Sequence, residues 1–438
     1  MGKIVGVFLA LILFLAAAFL VLRGLSSHSM LAFDSAPKAI GVDTPFVIRV
    51  TNPHGVRRIA AMIEQDGARV LLSETARPAN RLTFWRAHLP AEEFHFIAGK
   101  NQDANLKEGN ARLIVEAESN DLLALRDSIS TDVDVIFHPP SVAADGLEHS
   151  INQGGSEMVI LTPSGSFTES GVRIGDETFR SFPLPGSSSG RFALFAYAWD
   201  TPRDTVPTVY VKNAAGAEAT ATFRYKIFPK KFRARDLPID DKFLEKVVNQ
   251  IDPGGSGDLL TRFLKINGEM RRANNRTLAD LRFKTEGKFL WSQPFLQMAN
   301  SKVESSFADV RSYVYKGRKV DQQVHLGFDL AVAQHTPVAA ANDGKIVWAA
   351  PLGIYGNCIV VDHGFGLQSI YGHLSEIGVK EGEMVKRGQT MGKSGSTGLA
   401  GGDHLHFSMQ VEGVQVNPIE WWDQHWINDH IFNRMPRP

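Results

Sequence analysis

Directly behind Lys3, an apolar run from Ile4 to Leu22 carries no charged residue and is long enough to cross a bilayer as a helix. In lipid only a helix lets such a segment satisfy its own backbone. A cleavable signal would have a shorter apolar region ending in small residues at an A-x-A-like site, but here Arg23-Gly24-Leu25 follow at once. The expectation is an uncleaved, single-pass anchor over residues 1–24. Its stub would stay in the cytoplasm and the rest of the chain would be exported. Arg23 on the far side runs against the usual charge bias, and a buried core helix is the competing reading.

At 438 residues the chain exceeds what one hydrophobic core organises, so several domains are expected. The 47 Lys and Arg residues balance the 47 Asp and Glu, which leaves no basic surplus for gripping nucleic acid. Cys358 is the sole cysteine, which excludes an internal disulfide and a Cys-rich zinc site. Any bound metal must rely on His and carboxylate.

The pattern predicts a multidomain, mostly β protein. Residues 32–138 read as short alternating strands, among them Phe46–Val50, Leu82–Trp85 and Arg112–Val115, separated by Gly, Asn and Pro turns. Residues 139–230 repeat the rhythm in Met158–Leu161, Phe192–Tyr197 and Thr208–Val211, with a Pro/Gly/Ser-rich loop from Leu184 to Gly190. Both are expected to be β-sandwich modules, immunoglobulin-like in strand rhythm only. Residues 231–289 read as a short helical connector, with Asp240 or Asp241 capping a helix whose Phe243, Leu244, Val247, Val248 and Ile251 share one side. A second helical stretch near Asp258–Leu281 carries the exposed pair Arg271-Arg272, which suits an acidic substrate, lipid headgroups or a solvated face. Residues 290–438 return to a β pattern rich in Gly and Val.

Chemistry concentrates in that last segment. His325 and Asp329 are four apart with Gly327 between them, and His404 and His406 are two apart. In a strand these spacings put each pair on one face, with Gly327 leaving the face open. Neutral imidazole and carboxylate suit zinc, and a catalytic zinc takes three protein ligands and a water. Spacing alone therefore offers four candidates for three places. Tyr371-Gly372-His373-Leu374 adds another imidazole after an apolar stretch.

Residues 324–418 resemble the lysostaphin/LytM-type zinc endopeptidases, peptidoglycan hydrolases built on a small β-sheet domain with a groove. The likeness rests on His325-Leu326-Gly327-Phe328-Asp329, Thr336-Pro337-Val338, Gly344-Lys345-Ile346-Val347, Tyr355-Gly356-Asn357, Val361-Asp362-His363-Gly364, Tyr371-Gly372-His373-Leu374-Ser375, Gly395-Ser396-Thr397-Gly398 and His404-Leu405-His406-Phe407. It implies that His325, Asp329 and His406 bind Zn2+, that His373 and His404 are the catalytic imidazoles, and that Asn357 and Tyr371 line the groove and meet substrate. His335 stands where the family usually has Gly, and Gly401-Gly402-Asp403 form an altered loop before His404. Neither departure removes a ligand or a catalytic His.

The resemblance implies a zinc metallopeptidase that cuts peptide cross-links or stem peptides of the bacterial cell wall. In that chemistry zinc activates water and two histidines move protons. Peptidoglycan peptide and the membrane are the expected partners, with a regulatory protein that displaces the N-terminal modules as a further one. Two alternatives compete: a non-catalytic wall-binding or regulatory scaffold, and a peptidoglycan carboxypeptidase with a groove closed at one end.

Overall fold

Gly2–Leu25 forms one continuous helix, and among the described residues it is the one helix long and apolar enough to cross a membrane. The computed structural model describes residues 2–79, 83–86 and 88–436. Beyond the helix the protein is mostly β, in two compact units. One comprises Met1–Ser141 with Ser164–Thr168 and Lys212–Ala219, and the other comprises Val142–Pro163, Glu169–Val211 and Thr220–Pro438.

In the first unit a three-stranded and a five-stranded sheet share one core. Alternation along Thr44–Thr51 and Glu92–Ala98 turns Phe46, Ile48, Val50, Phe94 and Phe96 inward against Ile59, Ile63, Leu113 and Val115. The strand expected at Leu82–Trp85 is different: Leu82 lies outside the described residues, and Phe84–Arg86 form a 3-10 turn that buries Phe84. The immunoglobulin likeness of the modules rests on strand rhythm alone.

In the second unit Ser156–Ser164 and Arg191–Ala196 pair antiparallel, as do Glu169–Ile174 and Glu177–Arg180. Their core is continuous with that of the C-terminal β domain, because Met158, Phe179, Phe192 and Phe195 belong to the same buried cluster as Phe365, Tyr371, Phe407 and Trp421. The Phe192 and Phe365 rings meet edge to face at 4.8 Å. Polar ties reinforce this contact. Arg180 donates from Nε and Nη2 to both Glu412 oxygens at 2.7 and 2.8 Å, and Glu420 accepts from Asn152 and Ser156.

The expected connector begins with a strand, Ala234–Ile239, which pairs in parallel with Asp309–Tyr315. Alternating exposure along Ala234–Ile239 explains why the segment is extended. Helices Asp241–Ile251 and Leu259–Lys265 follow, each capped by the preceding Asp side chain, at Asp240 and Asp258. After a π turn, Arg271–Asp280 completes the helical layer.

The C-terminal sheet runs in the order Lys302–Ser305, Phe328–Ala331, Leu405–Val411, Leu367–Leu374, Asn357–Asp362, Gly344–Pro351, Met384–Val385, with Val414–Val416 paired to Leu405–Val411. It is covered on both faces, so its strands are buried almost throughout. Ile359, Val361, Tyr371, Phe407 and Met409 enter the core shared with the second β module. Cys358, Val360 and Ile370 point the other way, against Leu244, Val248, Phe263 and Leu278 of the helical layer.

Candidate metal centre

His406 is fixed between two strands. It stands opposite Asp329 on one side and opposite Gly372 on the other. Along Leu405–Val411 the residues Leu405, Phe407, Met409 and Val411 go to the core, so period-two alternation sends His406, Ser408 and Gln410 to the other face. Gly327 is needed for close approach: a Cβ there would come within 2.4 Å of Ser408 Oγ and 2.7 Å of His406 Cε1.

His325 and Asp329 do not share a strand. His325 ends Arg318–His325 of a three-stranded sheet, whereas Asp329 lies in Phe328–Ala331 of the large sheet. The break at Leu326-Gly327 carries the chain from one sheet to the other and brings the two side chains together across the corner.

His325, Asp329 and His406 are all buried, and one ligand atom from each lies within 4.8 Å of the others. His325 Nδ1 meets the Ser306 carbonyl at 3.2 Å and therefore carries the proton, which leaves Nε2 a lone pair. The Ser408 hydroxyl donates to the Leu326 carbonyl, so its oxygen accepts from His406 Nε2–H at 3.0 Å and leaves His406 Nδ1 a lone pair. His325 Nε2 and His406 Nδ1 then face each other at 2.9 Å, with Asp329 Oδ1 at 2.9 and 3.2 Å from them. Three lone pairs converge with no proton among them, an arrangement that calls for a cation.

The electrostatics agree. Burial, partly offset by Asp329, pushes His325 down to about 4, and burial also lowers His406, so both imidazoles are neutral near pH 7. The donor set, two imidazole nitrogens and one carboxylate oxygen, fits a zinc-type divalent ion with a position left open.

His373 and His404 flank the triad, with ring centroids 4.8 Å apart. His404 Nε2 lies 3.4 Å from Asp329 Oδ1, and the His373 ring is 5.7 Å from that of His406. A β-bulge aims His373. Asn357 pairs with Leu374 and Ile359 with Tyr371, so one extra residue sits in the Leu367–Leu374 strand, and His373 takes φ 63°. Without the bulge it would share the core-facing side of Tyr371. Each imidazole anchors Nδ1 on a backbone carbonyl, His373 on Thr397 at 2.8 Å and His404 on Gly402 at 2.9 Å, which turns Nε2 toward the cleft. Burial and the neighbouring His404 and His406 lower His373 well below the ordinary imidazole value.

Two expected groove residues lie elsewhere. Tyr371 is 1% exposed; its ring packs on Phe407 and its hydroxyl oxygen accepts from the Ala341 N–H at 2.8 Å, because alternation points it into the core. Asn357 is outside the cavity lining, and its backbone N–H is bound to Thr397 Oγ1 at 2.9 Å. Tyr355 borders the cavity instead. Its ring is 5.5 Å from that of His406, and its hydroxyl donates to Asn275 at 2.9 Å. The cavity, about 910 Å³, holds all five His and Asp residues and is walled by Leu237, Pro238, Ile239, Phe243 and Arg271 of the connector. Arg271 of the basic pair thus reaches the cleft. His335, where glycine is usual in the resembled family, has φ 59° and anchors its N–H on Asp403 Oδ2 at 3.2 Å.

Residues 323–418 match the family model of peptidase family M23. Over 97 residues the chain is 40% identical to the DD-carboxypeptidase/endopeptidase Mpg of Neisseria meningitidis, covering 22% of this chain and 22% of that one. Over 96 residues it is 42% identical to the peptidoglycan DD-endopeptidase ShyA of Vibrio cholerae, again 22% of each. A solved structure of the lysostaphin catalytic domain from Staphylococcus simulans is 32% identical and covers 28% of this chain and 92% of that one, with a TM-score of 0.25. The match therefore spans about a fifth of the length of these curated relatives.

Proposed function

Starting from residues 323–418 as a peptidase M23 domain, we propose that the chain is a zinc-dependent peptidoglycan endopeptidase, anchored by its N-terminal helix and acting outside the cytoplasmic membrane. The observation that carries the metal is the convergence of three unprotonated donors, His325 Nε2, Asp329 Oδ1 and His406 Nδ1. The name of ShyA, a peptidoglycan DD-endopeptidase, supports peptidoglycan as substrate.

His325, Asp329 and His406 would hold the zinc, which would supply Lewis acidity toward the scissile carbonyl and the activation of water at neutral pH. His373 and His404 present Nε2 to the cleft from fixed tautomers. One takes the proton from the attacking water, and the other hydrogen-bonds the oxygen that gains charge as the carbonyl becomes tetrahedral. The partly buried setting of both imidazoles strengthens these interactions.

Along the sequence two β modules and a connector stand between the apolar helix and the M23 domain, a length of chain that supports a role in reaching the wall polymer. Metal analysis of the detergent-solubilised full chain, combined with an assay on a cross-linked muropeptide, tests the reading. One zinc per chain and cleavage that stops on chelation are expected. Cleavage by a metal-free protein would overturn it.

A further inference from the structure

The two oxygens of Asp329 do different things. Oδ1 faces the imidazoles, 2.9 Å from His325 Nε2 and 3.2 Å from His406 Nδ1. Oδ2 accepts a hydrogen bond from Arg311 Nη2 at 2.6 Å, the two side chains being 12% and 17% exposed. The strands carry this contact: Ser305 stands opposite Asp329 in one sheet and Asp309 opposite His325 in the other.

The guanidinium is itself held. Arg311 Nη2 also donates to Ser305 Oγ at 2.7 Å, and the Ser305 hydroxyl donates to Asp309 Oδ2 at 2.6 Å. Ser305 and Asp309 are fully buried, and Arg233 Nε closes the chain on both Asp309 oxygens at 3.0 and 3.1 Å. Arg235 donates to the same Ser305 oxygen at 2.8 Å. Alternating charges and a buried hydroxyl thus run from Arg233 to Asp329, and every member of the network except Asp329 precedes the matched segment 323–418.

We propose that Arg311 is a positioning residue that occupies Asp329 Oδ2 and so limits this carboxylate to one bond to the metal. The inference rests on the metal reading above. A carboxylate free at both oxygens can ligate through two, raising the coordination number and filling the position a reacting water needs. With Oδ2 engaged by a charged donor, only Oδ1 is offered. The same bond fixes the carboxylate plane, which partners of ligating carboxylates do in metal sites generally.

The test uses the detergent-solubilised full chain with Zn2+ and Co2+ as probes. Zinc affinity is read by chelator competition, and coordination number by the visible absorption of the cobalt form, which is strongest for four-coordinate Co2+. Arg311→Met should weaken zinc binding about 10–100-fold and lower the cobalt band intensity as Oδ2 enters the coordination sphere. Arg311→Lys, which keeps a single charged donor, should recover much of both. Ser305→Ala frees the guanidinium without removing its charge and should give a smaller loss in the same direction, which serves if Arg311→Met does not fold. Wild-type zinc affinity and an unchanged cobalt spectrum in folded Arg311→Met would overturn the inference. Wild-type protein that binds neither ion would overturn the metal reading beneath it.

Discussion

Asp329 and His406 stand directly opposite one another on adjacent antiparallel strands, with Asp329 Oδ1 3.2 Å from His406 Nδ1. Cross-strand pairing therefore sets the distance between two of the three donors, and the rigidity of a sheet buried on both faces holds it. Asp329→Asn or His406→Ala should lower zinc affinity by at least about a hundredfold. Added zinc should no longer raise the melting temperature of either variant, a shift that calorimetry reads directly.

His373 and His404 lie beside the triad without belonging to it. His373→Ala and His404→Ala should each retain one zinc while turnover falls by about 10²–10⁴-fold, the usual contribution of a positioned acid or base. Metal content and kcat measured on the same preparations check this. Loss of zinc in either variant would move that residue into the ligand set.

Gly327 has no room for a methyl group, since its Cβ would meet Ser408 Oγ and His406 Cε1 at 2.4 and 2.7 Å. Gly327→Ala should displace the His406 ring and weaken zinc binding about tenfold or more, with the fold retained. Far-UV circular dichroism and chelator competition separate the two effects.

Glu420 ties the second β module to the C-terminal tail through Asn152 and Ser156, and burial raises its carboxyl from 4.5 to about 7, with Glu157 adding to the rise. Because the folded value exceeds the unfolded one, its stabilising contribution is complete below about pH 4.5 and is lost as pH rises through about 7. That loss is on the order of 3 kcal/mol. Glu420→Gln should therefore melt higher than the parent at pH 8, and the gain should vanish near pH 4.5.

The shared core predicts how fragments behave. A piece starting at residue 290 would leave Phe365 without Phe182 and Phe192 and Glu412 without Arg180. It should be poorly soluble and bind an apolar dye, whereas a piece starting at residue 142 should be soluble. Soluble yield after identical expression checks the difference.

How much of this was legible in the sequence depends on the range of the interaction. The long apolar helix and a helix cap at Asp240 or Asp241 are local patterns, and they read directly, the cap falling on Asp240. The meeting of His325 with Asp329 was inferred from same-face spacing, but it arises from a chain break between two sheets, which residue spacing does not encode. Tyr371 was expected in the groove from the resemblance, whereas ordinary alternation turns it into the core, and the bulge that instead turns His373 to the cleft leaves no periodic trace. Arg311 was missed because its partner lies eighteen residues on, in another sheet. The aromatic contacts that join Phe192 to Phe289 and Phe365 likewise connect distant segments with no pattern linking them.

Everything proposed for the His325, Asp329 and His406 site comes down to a metal-dependent cut in the peptide part of the wall. Purified sacculi incubated with the detergent-solubilised full chain, with soluble fragments identified by mass spectrometry, test it most directly. Release of fragments with cleaved cross-links is expected from the zinc-loaded protein, none after chelation, and recovery on adding zinc back. Intact cross-links after digestion with zinc-loaded protein, or undiminished release by His406→Ala, would contradict it.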